Sequence, residues 1–377
     1  MFKYLFISFF SLYTGKLFSQ TTVNGSFLHG GINRTYSFYI PASYIPGTPV
    51  PMVIGLHGLA SSGSDFAQYR DFRSIADTAN FIVVHPDGST MLGLKYWNYG
   101  SIVGSTVDDV GFLEALIDTI SAHYTINQQR IYCAGMSNGS FMSYYMACQS
   151  NRFAAIGCVT GSMSVNMYNT CNPQRAIPVI HIHGTDDSTN PYAGNSSMKG
   201  IEEVTRFWIG QNNCHTIPQL TTVPDISSTD GATAQRYLYS GGVNGHTVEL
   251  FKVTGGGHSW PGSPMPGSSE VTCMDFSATA ELWRFFSQFD KTGVLSTTYS
   301  TAEVIDIWPN PCRGDLYVKS EKEIKEVHIL DMQGRTVMKK ANENNEYLNL
   351  HHLASGNYIL KMSGSSYQVT KKLIIQQ

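Results

Sequence analysis

One pentapeptide limits the folds open to this chain more than any other feature. Residues 135–139 read Gly-Met-Ser-Asn-Gly, after an apolar run at 130–134 and before a helix-like run at 140–148. A serine at such a sharp strand-to-helix turn has a strained backbone, and glycines on either side avoid collisions. The turn exposes the Ser137 hydroxyl and places backbone N–H groups at a helix start, where they can bind an oxyanion. The pattern therefore predicts Ser137 as a nucleophile that follows a buried strand.

Two partners for this serine come later in the chain, each just after a predicted strand. The strand at 177–183 ends in a polar turn that contains Asp186 and Asp187, and we favour Asp187 as the acid. The strand at 248–253 breaks into a glycine-rich loop that carries His258. The order serine, aspartate, histidine is that of α/β-hydrolases, and parallel strands bring such loops to one edge of a sheet.

These residues have complementary roles in ester hydrolysis. His258 is expected to take the proton of Ser137 and to return it to the leaving alcohol, while Asp187 orients the imidazole. The backbone N–H of Asn138, directly after the nucleophile, is the first predicted oxyanion donor. The second comes from the loop after an earlier apolar strand, and the His-Gly-Leu sequence there assigns it to the N–H of Leu59.

Further motifs extend this pattern in order and spacing. They are His57-Gly58, Pro86-Asp87-Gly88, Trp97-Asn98, the Val-Asp-Asp-Val-Gly-Phe run at 107–112, His183-Gly184-Thr185, Pro191-Tyr192 and the loop at 255–262. In this combination residues 35–288 resemble the polyhydroxybutyrate depolymerase-like and feruloyl esterase-like hydrolases related to carbohydrate esterase family 1. The resemblance implies an α/β-hydrolase fold with a mostly parallel sheet. It also implies a serine carboxylic-ester hydrolase, with Ser137, Asp187 and His258 in the positions of the family's triad.

The predicted substrate is an ester, either a feruloyl or acetyl ester of a plant polysaccharide or a hydroxyalkanoate (poly)ester. Leu59 and Ser140 depart from the family's pattern, and both positions bear on the acyl pocket. Trp97 and Trp260 are candidates for stacking on an aromatic or sugar group in the cleft, with core packing as the alternative. Two other classes of function stay open: a non-catalytic carbohydrate-binding or adhesion protein on a hydrolase scaffold, and a serine peptidase of the same fold.

Other polar pairs favour structural interpretations. Asp108 and Asp109 stand at the start of a helical pattern, where carboxylates cap the helix. His181 and His183 lie on one face of a strand, but no third ligand follows nearby. We therefore predict neither a metal nor another cofactor.

Composition and the chain termini indicate an exported protein. The net charge of −3 and the absence of a basic patch argue against a nucleic-acid partner. Residues 1–20 predict a signal peptide, because Lys3 precedes an apolar run that is too short for a stable membrane span. Seven cysteines suit an oxidising compartment, although Cys133 in the strand before Ser137 is expected to be a buried free thiol.

Alternating strand and helix patterns place an esterase domain at 21–290. Helices are predicted over 109–124 and 276–286 from their apolar spacing. The polar, turn-rich span at 210–245 is interpreted as an insertion near the cleft. A polar linker at 291–302 then separates this domain from the rest of the chain.

The last part of the chain, residues 303–377, has the short alternating strands and turn signals of a small all-β, sandwich-like module. Its segments at 308–311, 329–334 and 353–360 resemble the C-terminal sorting domain of the type IX secretion system. The resemblance implies Bacteroidetes-type export to the medium or the cell surface, with the secretion machinery as a partner. The alternative is a small carbohydrate-binding module, for which the available aromatic residues are Trp308, Tyr317, Tyr347, Tyr358 and Tyr367.

Overall fold

The chain divides into two compact units, Met1–Leu295 and Ser296–Gln377. A computed structural model describes residues 20–265, 267–295, 305–320, 323–331, 336–341, 347–364 and 368–376. The predicted signal peptide, apart from Gln20, and residues 296–302 of the predicted linker lie outside these ranges. Among the helices described, none has both the length and the apolar character needed to cross a membrane.

Strands and helices alternate along the first unit. Its strands are β1 (Thr21–His29), β2 (Ile32–Ile40), β3 (Val50–Leu56), β4 (Ile82–Pro86), β5 (Ser89–Met91), β6 (Leu94–Tyr96), β7 (Ile126–Met136), β8 (Ala155–Val159), β9 (Val179–Gly184), β10 (Gln219–Thr222), β11 (Thr233–Tyr239), β12 (Val248–Thr254), β13 (Phe289–Asp290) and β14 (Gly293–Val294). Its helices are α1 (Gly63–Tyr69), α2 (Arg73–Ala79), α3 (Asp109–Ser121), α4 (Asn138–Gln149), α5 (Val165–Thr170), α6 (Ile201–Asn212) and α7 (Ala278–Phe286), with a 3₁₀ turn at Val243–Gly245.

Ten strands form one mixed, mostly parallel sheet in the order β1-β2-β4-β3-β7-β8-β9-β12-β11-β10. The six central strands from β4 to β12 are parallel, while β1, β2, β11 and β10 are antiparallel at the two edges. Every residue of β3, β4, β8 and β9 is buried, as expected for parallel strands covered on both faces. The carboxyl ends of β7, β9 and β12 therefore meet at one edge of the sheet.

Helices cover both faces of this sheet and create two apolar cores. One core includes Phe112 of α3 and Trp208 of α6, and the other includes Phe66 of α1 and Phe286 of α7. Consecutive strand residues divide between the two cores because side chains alternate along a strand. The helices predicted over 109–124 and 276–286 are confirmed as α3 and α7, with slightly shorter bounds.

The span at 210–245 corrects one expectation. It forms the end of α6, the strands β10 and β11, and the 3₁₀ turn. Both strands pair antiparallel beyond β12 and extend the sheet at its edge. The span is therefore a continuation of the sheet and not an insertion beside the cleft.

The cysteines of the first unit include one disulfide and several buried free thiols. Cys148 at the end of α4 is joined to Cys171 after α5 by a disulfide. Cys133 is a buried free thiol, as predicted, and burial raises its pKa to about 12. Such a thiol behaves as a small apolar side chain.

The second unit is all-β, as predicted. Its described strands are β15 (Asp306–Trp308), β16 (Asp315–Lys319), β17 (Glu326–Leu330), β18 (Thr336–Ala341), β19 (Tyr347–Asn349), β20 (Gly356–Ser363) and β21 (Gln368–Ile375). They form two antiparallel sheets, β15-β16-β19 and β18-β17-β20-β21. Leu316 of the first sheet and Ile329 and Leu360 of the second belong to one buried apolar core.

Candidate active site

Ser137 occupies a sharp turn between β7 and α4. Its φ of 54° and ψ of −119° are far from the conformations that L-residues prefer. The flanking glycines are required by space, because a Cβ at Gly135 would collide with the Gly139 carbonyl and one at Gly139 would collide with the Leu56 carbonyl. The Ser137 N–H donates to Val159 O at 2.9 Å, which anchors the turn to the neighbouring strand β8.

The structure brings His258 and Asp187 together although they are 71 residues apart in the chain. His258 Nδ1 lies 2.8 Å from Asp187 Oδ2, and the Asp187 side chain is completely buried while that of His258 is 15% exposed. The competing carboxylate, Asp186, is exposed and accepts a hydrogen bond from its neighbour Thr185. The geometry therefore pairs the histidine with Asp187 and not with Asp186.

Three hydrogen bonds hold the Asp187 carboxylate. Oδ1 accepts from the backbone N–H groups of Thr189 at 3.0 Å and Asn190 at 2.8 Å. Oδ2 accepts from His258, and His183 Nε2 lies 3.4 Å from the same oxygen. A buried carboxylate with these donors on both oxygens is held in one orientation.

A directional hydrogen-bond chain supports this acid from inside the protein. His183 Nε2 donates to the Asn190 carbonyl at 2.8 Å, so Nδ1 of the same ring is the acceptor for His181 Nε2 at 3.0 Å. His181 Nδ1 in turn accepts from the hydroxyl of Tyr144 on α4. Burial lowers the pKa of His183 to about 4 and holds the pKa of His181 well below its usual range, so both rings are neutral near pH 7. This chain gives the two strand histidines, His181 and His183, hydrogen-bond partners within the protein.

The loop that carries His258 is held by a segment that the sequence did not single out. The His258 N–H donates to Glu270 Oε2 at 2.7 Å, and the Gly257 N–H donates to Val271 O at 2.9 Å. Glu270 lies in a polar stretch without a motif, so only its position in space reveals its contact.

The proposed oxyanion donors lie on two segments that pack against each other. An added Cβ at Gly58 would lie 3.5 Å from the Ser137 Cβ, which places the loop after β3 beside the serine. The N–H groups of Ala60 and Ser61 donate to Lys95 O and Gly58 O. By contrast, no residue in the described ranges accepts from the backbone N–H of Leu59 or of Asn138.

Trp97 links these two segments through hydrogen bonds. Its indole N–H donates to the His57 carbonyl at 3.1 Å, and its backbone N–H and carbonyl bond to the Asn138 side chain at 2.7 and 3.1 Å. His57 itself accepts from Gly88 N–H at 2.9 Å, and burial lowers its pKa, so the ring is neutral. Trp97 thus holds His57, in the loop of the proposed donor Leu59, and Asn138, which carries the other proposed donor.

Both tryptophans expected to line the cleft are instead fully buried, which corrects that prediction. Trp97 lies against His57 and Phe112, and Trp260 packs edge-on against Phe66. Trp260 also donates its indole N–H to the Thr279 hydroxyl at 3.0 Å. Since neither side chain has exposed surface, core packing is the correct alternative for both.

The paired acids at the start of α3 divide their roles. Asp108 is the N-cap and accepts from the Gly111 N–H at 2.8 Å, as predicted. Asp109 is buried and pairs with the buried Arg34 at 2.6 Å, while it also accepts from the Asn98 N–H at 2.7 Å. The expectation that both would cap the helix was therefore wrong for Asp109, because Arg34 approaches from β2.

Ser137 and His258 line the same cleft, whose volume is about 410 Å³. The loop residues Gly58, Leu59 and Ala60 form one wall. Further lining comes from Asp65, Phe66, Tyr69 and Arg70 around α1, and from Met136 and Met265. The candidate nucleophile, base and oxyanion loop thus surround one space large enough for part of an ester substrate.

Comparison with known proteins confirms the resemblance that the motifs indicate. Residues 34–190 match the family Esterase PHB depolymerase. Residues 306–376 match the secretion system C-terminal sorting domain, which confirms the prediction of a secreted or cell-surface protein. The first match includes Ser137 and Asp187 and ends before His258.

Individual relatives of this chain are named as esterases. The chain is 25% identical over 74% of its length to a bifunctional acetylxylan esterase/xylanase of Neocallimastix patriciarum, covering 36% of that protein. It is 26% identical over 58% of its length to feruloyl esterase B of Piromyces equi, covering 41% of that protein. The chain therefore spans about two fifths of the length of these curated relatives.

One solved structure supports the fold. The acetyl xylan esterase from Aspergillus awamori superposes with a TM-score of 0.51 at 14% identity, covering 70% of this chain and 99% of that one. At this identity the likeness concerns the fold alone.

Proposed function

We propose that this protein is a secreted α/β-hydrolase that cleaves carboxylic esters through an acyl-serine intermediate. The observation that carries the proposal is the cleft that Ser137 and His258 share, with His258 bonded at 2.8 Å to the buried Asp187. The named relatives and the family match support an ester as the substrate.

The proposed reaction follows from this geometry. Because His258 Nδ1 is engaged by Asp187, Nε2 is the ring nitrogen that accepts the Ser137 proton as the hydroxyl attacks the ester carbonyl. The backbone N–H groups of Leu59 and Asn138 stabilise the resulting oxyanion. His258 then protonates the leaving alcohol, and water releases the acid from Ser137 by the reverse sequence.

The substrates favoured by the relatives are polysaccharide-linked feruloyl or acetyl esters and hydroxyalkanoate (poly)esters. The test is to incubate the secreted full-length protein separately with a feruloylated xylo-oligosaccharide, an acetylated one and a 3-hydroxybutyrate oligomer, and to identify released acids by mass spectrometry. Ser137→Ala should abolish release, whereas Asp186→Asn should leave it within a few-fold of the parent protein. Release that survives Ser137→Ala would refute the acyl-serine proposal.

A peptide substrate in the same experiment distinguishes the peptidase alternative. Ester and amide hydrolysis use the same triad, so the sequence order permits both. Faster cleavage of the peptide than of every ester would overturn the proposal.

We further propose the division of the chain into a signal peptide at 1–20, an esterase domain at 21–290, a linker at 291–302 and a sorting domain at 303–377. The match over residues 306–376 supports the last of these. The secretion machinery that reads the sorting domain is the proposed partner, and deletion of residues 303–377 should leave the protein inside the cell.

A second candidate function, carbohydrate binding by the second unit, is favoured by a row of exposed aromatic rings. Trp308, Tyr317 and Tyr347 are paired across β15, β16 and β19, with ring centroids 6.0 and 5.6 Å apart. Their exposures are 46%, 43% and 37%. Of the other aromatics considered for binding, Tyr358 donates its hydroxyl to Ala354 O, and Tyr367 lies outside the described residues.

Aromatic faces in such a row suit stacking on successive sugar rings. The Ser137→Ala protein should bind insoluble xylan or cellulose in a sedimentation assay, and Trp308→Ala should reduce the bound fraction. Equal sedimentation of the two proteins would remove this candidate.

A further inference from the structure

A buried guanidinium faces the cleft beside the candidate nucleophile. Arg70 follows the last residue of α1 and lines the cleft together with Ser137 and His258. It is only 4% exposed. Arginine is rarely buried to this degree without a carboxylate partner.

The partners of Arg70 in the protein are all uncharged. Its Nε and Nη2 donate to the Met136 Sδ at 3.2 and 3.1 Å, and Nη1 donates to the Tyr69 carbonyl at 2.8 Å. A thioether sulfur is a weak acceptor, and a guanidinium has five N–H groups. Arg70 therefore keeps donor capacity that these contacts do not use.

No residue within the described ranges forms an ion pair with Arg70. The adjacent Asp71 is bonded to Arg73 at 2.8 Å. Asp65, the carboxylate that lines the same cleft, is exposed and accepts from the hydroxyls of Ser61 and Ser62.

The group nevertheless remains charged at neutral pH. Burial lowers the pKa of Arg70 to about 10, which leaves it protonated under ordinary conditions. A buried cation is costly unless an anion or strong acceptors compensate it. The Trp260 ring, 5.6 Å from the guanidinium carbon, supplies a cation–π contact and no negative charge.

We propose that Arg70 is an anion subsite of the cleft and binds a carboxylate carried by the ester substrate. The guanidinium fork matches a carboxylate through two parallel N–H bonds. Since Met136 immediately precedes Ser137, the carboxylate would lie close to the ester bond that is cleaved. The inference rests on the proposed esterase function and narrows its substrate class to esters with a free carboxylate nearby.

Two sources can supply this carboxylate. One is the terminal acid of a hydroxyalkanoate oligomer, and the other is a uronate branch on an esterified polysaccharide. Both present the same group to Arg70, so the experiment must include a matched neutral form of each.

The test compares kcat/KM for two substrate pairs. The first pair is the 3-hydroxybutyrate dimer and its amide at the carboxyl end, and the second is an acetylated xylo-oligosaccharide with and without a glucuronate branch. The initial rate of substrate loss is measured for the full-length protein, Arg70→Gln and Arg70→Lys. Arg73→Gln, which removes an arginine three residues away that is paired with Asp71, is the matched control.

The parent protein should prefer the charged member of one pair by about tenfold or more, the range expected for a hydrogen-bonded charge. Arg70→Gln should remove this preference by raising KM for the charged member alone, and Arg70→Lys should keep part of it. Arg73→Gln should retain the full preference. The pair that shows the preference identifies the source of the carboxylate.

Several results would overturn the inference. Equal kcat/KM for charged and neutral members in the parent protein excludes an anion subsite without need of any variant. An equal loss on both members in Arg70→Gln assigns the residue a structural role. Hydrolysis of no ester by the parent protein, or turnover that persists in Ser137→Ala, indicates failure of the proposed function instead.

Discussion

The strained backbone of Ser137 leads to a prediction about the relative stability of two inactive variants. Ser137→Ala and Ser137→Gly both remove the hydroxyl, so neither can form an acyl-enzyme. They differ in how they fit φ 54° and ψ −119°, a region that glycine enters freely and alanine does not. We expect Ser137→Gly to be more stable than Ser137→Ala.

The magnitude follows from two opposing terms. Holding a non-glycine residue in such a conformation costs about 1–3 kcal/mol. Glycine adds conformational freedom to the unfolded chain, which costs about 0.4–1 kcal/mol in return. The net stabilisation of Ser137→Gly over Ser137→Ala should therefore be about 1 kcal/mol, or a rise in Tm of roughly 2 °C for a unit of this size.

The assay is denaturant unfolding followed by tryptophan fluorescence. Four of the five tryptophans, at positions 97, 208, 260 and 283, lie in the first unit and report its unfolding. The matched control is the same pair of substitutions at Ser74, an exposed position within α2. There glycine should be less stable than alanine by about 1 kcal/mol, because glycine is a poor helix former.

The reasoning depends on a reversal of sign between the two sites. If Ser137→Gly were as stable as Ser137→Ala or less stable, while Ser74 behaved as expected, the turn would not store the strain that its dihedral angles indicate. The explanation for the exposed nucleophile would then have to be abandoned.

Three further predictions concern the site. Asp187→Asn should lower kcat about 10⁴-fold with little change in KM, because the imidazole loses its orienting anion, whereas steady-state kinetics of Asp186→Asn should match the parent protein closely. Trp97→Phe removes the N–H that holds the His57 carbonyl and should lower kcat roughly tenfold. The control is Trp283→Phe, because Trp283 lies against Phe81, and this variant should keep the kcat of the parent protein. An equal loss of kcat in both variants would assign Trp97 to packing alone. Lowering the pH from 6.5 towards 4 should reduce the free energy of unfolding by up to about 3 kcal/mol through His183. The reason is that the His183 side chain takes up a proton near pH 6.5 in the unfolded chain but only near pH 4 in the folded protein. Unfolding by guanidinium chloride at pH 7 and pH 5 measures this difference in the free energy of unfolding. The difference should be smaller in His183→Gln, and an unchanged difference would exclude His183 as its source.

Local sequence signals were sufficient to propose the candidate triad, whose histidine and aspartate the structure brings together. The Gly-x-Ser-x-Gly turn, the polar turn with Asp187 and the glycine-rich loop with His258 each follow an apolar strand, and each is recognisable within about ten residues of chain. Because parallel strands align their carboxyl ends, order along the chain was enough to predict that these loops share one edge of a sheet. The two-part organisation was visible for a similar reason, since a polar linker at 291–302 is followed by short alternating strands between turn signals.

Contacts between distant segments were not predictable in this way. Trp97 and Trp260 look like cleft residues in a motif, yet the packing of neighbouring segments buries them completely. Asp109 looks like a second helix cap until Arg34, 75 residues earlier, is seen to reach it from β2. In each case the decisive partner is far away in the chain and carries no local signal.

The sequence by itself determined the candidate triad and the ester chemistry proposed for it, because the serine turn, the acid and the base each belong to a short motif at a strand end. Only the tertiary structure decided which residues contact these three. Tyr144, His181 and His183 form a hydrogen-bond chain that ends at the Asn190 carbonyl beside Asp187. Glu270 holds the loop of the candidate base, and Arg70 brings a positive charge to the cleft wall. Hydrogen bonds and burial depend on distances in space, and these distances are set only when the sheet has assembled.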